Sequence, residues 1–173
     1  VITGAGVDTI TAGDGNNTVD AGFGTIGANT ITAGSGNNTI FGSDGIDTIA
    51  VGDGNNIIEA GDGANTITAS PTGSGDNVIT TGSGIDTITV GYGDNYIDAG
   101  FGTIGANTIT VGPTGSGNNT ILGSDGIDTI VVGNGNNDIE AGDGANKITA
   151  GPTGFGNNRI ISGDGIDTIT TGN

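Results

Sequence analysis

A nine-residue period that persists from end to end constrains this chain more than any other feature. The pattern G-x-G-x-[N/D]-x-I-x-small recurs seventeen times, centred on Ile10, Val19, Ile31, Ile40, Ile49, Ile58, Ile67, Ile79, Ile88, Ile97, Ile109, Ile121, Ile130, Ile139, Ile148, Ile160 and Ile169. A copy this short cannot enclose a core by itself, so each one is a turn plus a short strand that stacks on its neighbours. Gly-x-Gly supplies the turn, because glycine accepts positive φ without steric cost. The x-Ile-x segment supplies the strand, and the small residue after it, such as Ala21, Ala60 or Ala99, returns to the inner face because side chains alternate along a strand. Large and small residues alternating inward predict a thin interior between two facing sheets. The expected fold is all-β: a parallel β-solenoid.

A second period of four overlies the first. Type A repeats carry Asp before the strand (Asp8, Asp47, Asp86, Asp128, Asp167), and the other twelve repeats carry Asn there. Type B repeats add an acidic residue after the central Ile or Val: Asp20, Glu59, Asp98 and Glu140. Type C reads G-A-N-x-I-T, at Asn29, Asn65, Asn107 and Asn146. Type D (Asn38, Asn77, Asn119, Asn158) instead places Phe41, Thr80, Leu122 and Ile161 after the Ile. The outward pairs divide the same way. A and C strands show mostly Thr-x-Thr, whereas B and D strands show mixed pairs such as Thr18/Asp20 and Tyr96/Asp98. Two short strands per turn keep A and C in one sheet and B and D in the other; three per turn would scramble the division. Three-residue insertions fall only in types C and D, for example Thr25-Ile26-Gly27 and Pro71-Thr72-Gly73. No linker interrupts the array, so residues 1–173 are expected to form a single continuous solenoid.

Composition excludes several function classes. The chain lacks Cys and His, so it builds no thiolate or imidazole metal site, no disulfide and no His-based catalytic dyad. Its net charge is −17, with Lys147 and Arg159 the only cationic side chains, which disfavours nucleic acid and anionic membrane surfaces. No apolar run is long enough to insert across a bilayer. The acidic residues recur with the array rather than converging on a concave site, which argues against an enzyme.

The motif resembles the RTX (repeats-in-toxin) nonapeptide, G-G-x-G-x-D-x-U-x, of secreted bacterial proteins. Gly42-Ser43-Asp44-Gly45-Ile46-Asp47-Thr48-Ile49 and Gly82-Ser83-Gly84-Ile85-Asp86-Thr87-Ile88 carry it best, with Ser43 where the family has its second Gly. The resemblance implies a calcium-binding β-roll in a secreted protein, extracellular or on the cell surface. It also implies Ca2+ ligands at Asp8, Asp47, Asp86, Asp128 and Asp167, each joined by backbone carbonyls. Asn offers oxygen without charge, so the B and D turns read as a stacked Asn hydrogen-bond ladder. Two readings of the five Asp residues stand: calcium ligands, or acceptors for turn amides.

Both ends cut through repeats without a polar capping unit, and the expectation is a slice of a longer array. The leading functional reading is a non-enzymatic extracellular structural array (fibre, surface layer, sheath or adhesin stalk) that self-associates end to end, with Phe41, Leu122 and Ile161 available for lateral packing. A second reading is ice binding through Thr9, Thr11, Thr30, Thr32, Thr66, Thr68, Thr87, Thr89, Thr108, Thr110, Thr168 and Thr170, a column interrupted by Ala50, Val131 and Lys147. A third is a passive RTX segment of a secreted toxin or enzyme. The turn aromatics Phe23, Tyr92, Phe101 and Phe155 read equally as lateral contacts or as turn fillers.

Overall fold

The computed structural model describes residues 1–100, 102–154 and 156–172. Phe101 and Phe155 lie outside the described residues.

Each repeat contributes one strand, and successive strands go to opposite sheets. The odd-numbered strands are β1 (Thr9–Ala12), β3 (Thr30–Ala33), β5 (Thr48–Val51), β7 (Thr66–Ser74), β9 (Thr87–Tyr92), β11 (Thr108–Ser116), β13 (Thr129–Asn134), β15 (Lys147–Ala150) and β17 (Thr168–Thr171). They form a nine-stranded sheet in that order. The even-numbered strands are β2 (Thr18–Asp20), β4 (Thr39–Phe41), β6 (Ile57–Gly61), β8 (Val78–Thr81), β10 (Tyr96–Ala99), β12 (Thr120–Leu122), β14 (Asp138–Glu140) and β16 (Arg159–Ile161). They form an eight-stranded sheet, likewise in chain order. Pairing is parallel throughout, with Ile opposite Ile or Val at each step, as in Ile31↔Ile49 and Ile79↔Ile97. The fold is therefore a parallel β-solenoid with two strands per turn, as the period-four division requires.

The core is the slot between the sheets. The central Ile and Val side chains from Val19 to Ile148 are essentially fully buried, and each contributes roughly 2 kcal/mol by leaving water. A second inward column packs beside them: Ala33, Val51, Ala69, Val90, Val111, Val132 and Ala150 from one sheet, with Ala21, Ala60, Ala99 and Ala141 from the other. Small residues there let two sheets approach that have only one large side chain per strand to separate them.

The insertions lengthen turns without disturbing register. Ladder partners lie 18 residues apart where a turn has no insertion, 21 with one and 24 with two. Two of the Pro-Thr-Gly insertions are drawn into strand pairing, extending β7 and β11 with a register shift before Ser74 and Ser116. Ser70 precedes the first of them at φ 47°, where Gly112 and Gly151 stand before the others at φ 44° and 58°. Its hydroxyl holds the Gly52 carbonyl at 3.2 Å, which offsets part of the cost of a left-handed conformation in a side-chain-bearing residue. The Thr-Ile-Gly insertions close differently. The Asp20 carboxylate accepts the Gly22 and Phe23 amides at 3.0 and 3.2 Å, and Thr25 N–H reaches back to the Gly22 carbonyl at 2.8 Å. In the second such turn Asp98 accepts the Gly100 amide at 3.2 Å, and Thr103 N–H reaches the Gly100 carbonyl at 2.9 Å.

Candidate functional site

The turns, not the strands, hold the buried polar chemistry. In the turns leading into the nine-stranded sheet, Asp8, Asn29, Asp47, Asn65, Asp86, Asn107, Asp128, Asn146 and Asp167 stack in one column. Each backbone N–H from Asp8 to Asn146 donates to the side-chain Oδ1 of the next rung, at 2.6–2.9 Å. The five candidate Asp residues thus share a column but do not meet. An Asn separates each pair, and at two rungs their spacing is about 9.6 Å. Among the described residues, no three carboxylates gather as a metal cluster.

The individual carboxylates differ. Asp47 Oδ1 accepts the Asn29 N–H at 2.7 Å, and its Oδ2 accepts the Ser43 N–H at 2.7 Å. The Ser43 hydroxyl lies 3.3 Å from the same oxygen. Asp128 repeats this with Asn107 and Ser124, at 2.6 and 2.8 Å. Asp86 does not. Its Oδ1 accepts the Asn65 amide at 2.8 Å, but its buried Oδ2 has no N–H donor and only the Thr81 hydroxyl beside it. Gly82 occupies in this turn the position that Ser43 holds in the other, but its N–H donates to the Gly61 carbonyl at 2.9 Å, so Oδ2 lacks the backbone donor that Asp47 and Asp128 have. Burial pushes the Asp86 and Asp128 carboxyls above the ordinary carboxylate range, against the pull of their amide donors.

On the opposite edge the ladder is all Asn: Asn17, Asn38, Asn56, Asn77, Asn95, Asn119, Asn137 and Asn158. Both the backbone N–H and the side-chain Nδ2 of each rung donate to Oδ1 of the next, as at Asn56–Asn77 (3.2 and 2.9 Å) and Asn95–Asn119 (3.0 and 3.0 Å). The expected Asn ladder is present along the whole edge. A second, exposed ladder runs beside it with reversed polarity. Asn37 N–H donates back to Asn16 Oδ1 at 2.8 Å, and the chain of bonds continues through Asn55, Asp76, Asp94, Asn118, Asn136 and Asn157. Sequence reasoning missed it, although the recurring Asn-Asn pairs were its signal.

The outer faces follow the repeat types. Thr9, Thr30, Thr48, Thr66, Thr87, Thr108, Thr129, Lys147 and Thr168 form one in-register column on the nine-stranded sheet. Thr11, Thr32, Ala50, Thr68, Thr89, Thr110, Val131, Thr149 and Thr170 form the other. Ala50 leaves a shallow groove bordered by Thr32, Thr68, Pro71 and Thr72. On the eight-stranded sheet, Asp20, Phe41, Glu59, Thr80, Asp98, Leu122, Glu140 and Ile161 alternate as expected. Of the three lateral candidates, Ile161 is exposed, Leu122 is half-buried and Phe41 is half-buried, with Phe23 meeting it edge-on at 5.9 Å. Phe23 therefore packs back onto its own solenoid, while the Tyr92 hydroxyl bonds Thr114 at 3.2 Å. Arg159 spans Asp138 and Glu140 at 2.6 and 3.0 Å on the same face.

One apolar feature was not foreseen. Beside the Asp/Asn column, Val7, Ile46, Ile85, Ile127 and Ile166 are 62–89% exposed and alternate with Ala28, Ala64, Ala106 and Ala145. The signal was the invariable Val or Ile before each type A Asp.

A chain whose described length is a two-sheet parallel solenoid, with a carboxylate or carboxamide at the same point of every turn, is a nonapeptide-repeat solenoid. The family model for the RTX calcium-binding nonapeptide repeat (4 copies) matches residues 1–25, 23–49, 41–70, 71–103, 113–151 and 152–173, and the chain belongs to that family. No curated protein and no solved structure matches it. Among the described residues no helix is long and apolar enough to cross a membrane.

Calcium requires several oxygens with free lone pairs and enough negative charge among them. The all-Asn edge does not fit that requirement, because it offers no carboxylate at the inner position and its amide nitrogens already donate to the turn carbonyls. The Asp47 and Asp128 carboxylates fit poorly, since both oxygens of each are engaged by N–H donors. Asp86, with one buried carboxylate oxygen that no N–H engages, fits best.

Proposed function

We propose that this chain is a non-enzymatic extracellular structural array, a rod whose surfaces rather than any pocket carry its role in a fibre, surface layer, sheath or stalk. The observation that carries the reading is the continuity of both ladders and both sheets along the described length. A solenoid of this kind grows by adding rungs, each satisfying the backbone and side-chain groups of the one before. The final rung leaves those groups open: β17 is exposed along its length, and its inward Ile169 is 46% exposed while Ile148 beneath it is buried. Further rungs, of this chain or of another copy, cover Ile169 and extend the ladders.

Side-by-side contacts are proposed at the Val7–Ile46–Ile85–Ile127–Ile166 ridge, whose alternation with Ala presents knobs and gaps at one spacing to an identical ridge. The net charge of −17 opposes such contacts, so lateral association strengthens as salt screens the repulsion. The test is light scattering and electron microscopy across a concentration series at low and high salt. Filaments or growing oligomers are expected, with bundling at high salt. A monomer that persists at the highest concentration in both conditions overturns the reading.

The in-register Thr columns support a second reading, ice binding, through two parallel rows of methyl and hydroxyl groups on one sheet. Growth of ice crystals in the protein's presence decides it: faceting supports the reading, and unshaped discs dismiss it.

A further inference from the structure

Many turn carbonyls of this array already accept hydrogen bonds from side-chain amides. Asn38 Nδ2 donates to the Gly34 and Gly36 carbonyls at 3.0 and 2.9 Å. Asn56 does the same at Gly52 and Gly54, at 3.2 and 2.9 Å. On the mixed edge, Asn65 Nδ2 reaches Gly61 and Gly63 at 3.1 and 3.2 Å, and Asn146 reaches Gly142 and Ser162 at 3.1 and 3.2 Å. An NH2 group placed between two or three inward oxygens supplies the positive end of a dipole where bare carbonyls would otherwise repel one another. Because an amide is neutral, it needs no carboxylate in return. The rungs that do carry a carboxylate at mid-array are handled differently. Ser43 and Ser124 donate their backbone N–H to Asp47 and Asp128 Oδ2 at 2.7 and 2.8 Å; the Ser43 hydroxyl donates to the Gly27 carbonyl at 2.6 Å, and each serine hydroxyl accepts from the Asn of the preceding rung, at 3.0 and 3.1 Å. Asp86 alone of these three has an Oδ2 that no N–H engages, because the Gly82 N–H donates to the Gly61 carbonyl, and only the Thr81 hydroxyl stands beside it.

We propose that the ladder carboxamides, together with Ser43 and Ser124, take over in this chain the structural task that the family assigns to calcium. The solenoid then forms without the ion, and its mid-array response to calcium is confined to the turn of Asp86. The inference concerns folding of the single chain and stands or falls separately from assembly.

Circular dichroism and thermal melting of the full 173-residue chain, in chelator and in calcium chloride at low protein concentration, test it. The expected result is the same β-sheet spectrum in both, with a melting temperature raised by calcium in the parent and unmoved by calcium in Asp86→Asn. In chelator, Asp86→Asn is expected to melt above the parent, because its new amide can donate to the Gly82 and Gly84 carbonyls as Asn65 does one rung earlier. Ser43→Gly/Ser124→Gly is expected to melt lower in chelator, because the hydroxyl bonds to Asn29 and Asn107 are lost, and to keep the parent's calcium shift, because the backbone N–H on each Oδ2 remains. A parent chain without β-structure in chelator overturns the proposal. So does an Asp86→Asn variant that keeps the parent's calcium shift, or a parent that shows none.

Discussion

At the scale of the residue, the ladder Asn is the most heavily committed side chain in the molecule. Asn95 donates to the Gly93 carbonyl and to Asn119 Oδ1, and accepts both the N–H and the Nδ2–H of Asn77, all at 2.9–3.0 Å. Truncation to Ala deletes these four bonds and strands buried donors and acceptors on both sides. We expect Asn95→Ala to cost about 3 kcal/mol or more in chemical denaturation, and Asn17→Ala, at the partly exposed first rung, to cost clearly less. Exposed acids behave otherwise. The Ser83 backbone amide, aided by its hydroxyl, holds the Asp62 carboxyl below the ordinary range. A depressed folded-state value means this contact stabilises the fold above the unfolded value and is lost as pH falls through the folded one. NMR titration should find Asp62 low in the parent and only partly restored in Ser83→Ala, since the backbone donor remains.

At the scale of the element, turns stack as closely as strands. A Cβ built on Gly45 overlaps the Gly27 carbonyl oxygen one rung below, whereas one built on Gly13 meets nothing. Gly45→Ala should therefore lower the melting temperature sharply, and Gly13→Ala should leave it nearly unchanged. The Thr-Ile-Gly turns depend on a short acid. Asp20 and Asp98 precede them, while Glu59 and Glu140 occupy the equivalent place before turns that have no insertion. Asp20→Ala removes the acceptor for two turn amides, an expected loss of about 1 kcal/mol, read by thermal melting. The same change at Glu59 should cost less.

At the scale of the whole molecule, the described residues form an unbranched stack with two unlike edges. One edge is sealed by an inner Asn ladder and an outer Asn/Asp ladder of opposite polarity; the other presents an apolar ridge beside the Asp/Asn column. Ile169→Glu places a charge where the next rung's Ile would pack. It is expected to suppress end-to-end growth in light scattering while leaving the circular dichroism of the chain intact. Replacing Ile46, Ile85 and Ile127 together by Ser should spare filament length and reduce salt-induced bundling seen by microscopy. If the triple variant bundles as the parent does, the ridge is not the lateral contact.

The sequence by itself determined the solenoid, the number of strands per turn and the membership of each sheet. A stacked array demands like residues at like positions, so structure and sequence share one period, and the difference between Thr-x-Thr and mixed strands labels the two sheets. The column of Asp8, Asp47, Asp86, Asp128 and Asp167 and the facing Asn ladder were legible for the same reason. What those side chains do was decided only by the tertiary structure. Asp47 and Asp86 lie in motifs that differ at three positions (Gly42/Thr81, Ser43/Gly82 and Asp44/Ser83), yet both Asp47 oxygens meet backbone amides while Asp86 Oδ2 meets none. Their amide partners Asn29 and Asn65 come from the preceding rung, 18 and 21 residues away. The reversed outer ladder and the exposure of Ile46, Ile85 and Ile127 arise likewise between rungs, where distances are set by how one turn lies on the next. A repeat motif records which residues recur; whether a recurring oxygen meets a backbone N–H depends on atoms brought from a different copy.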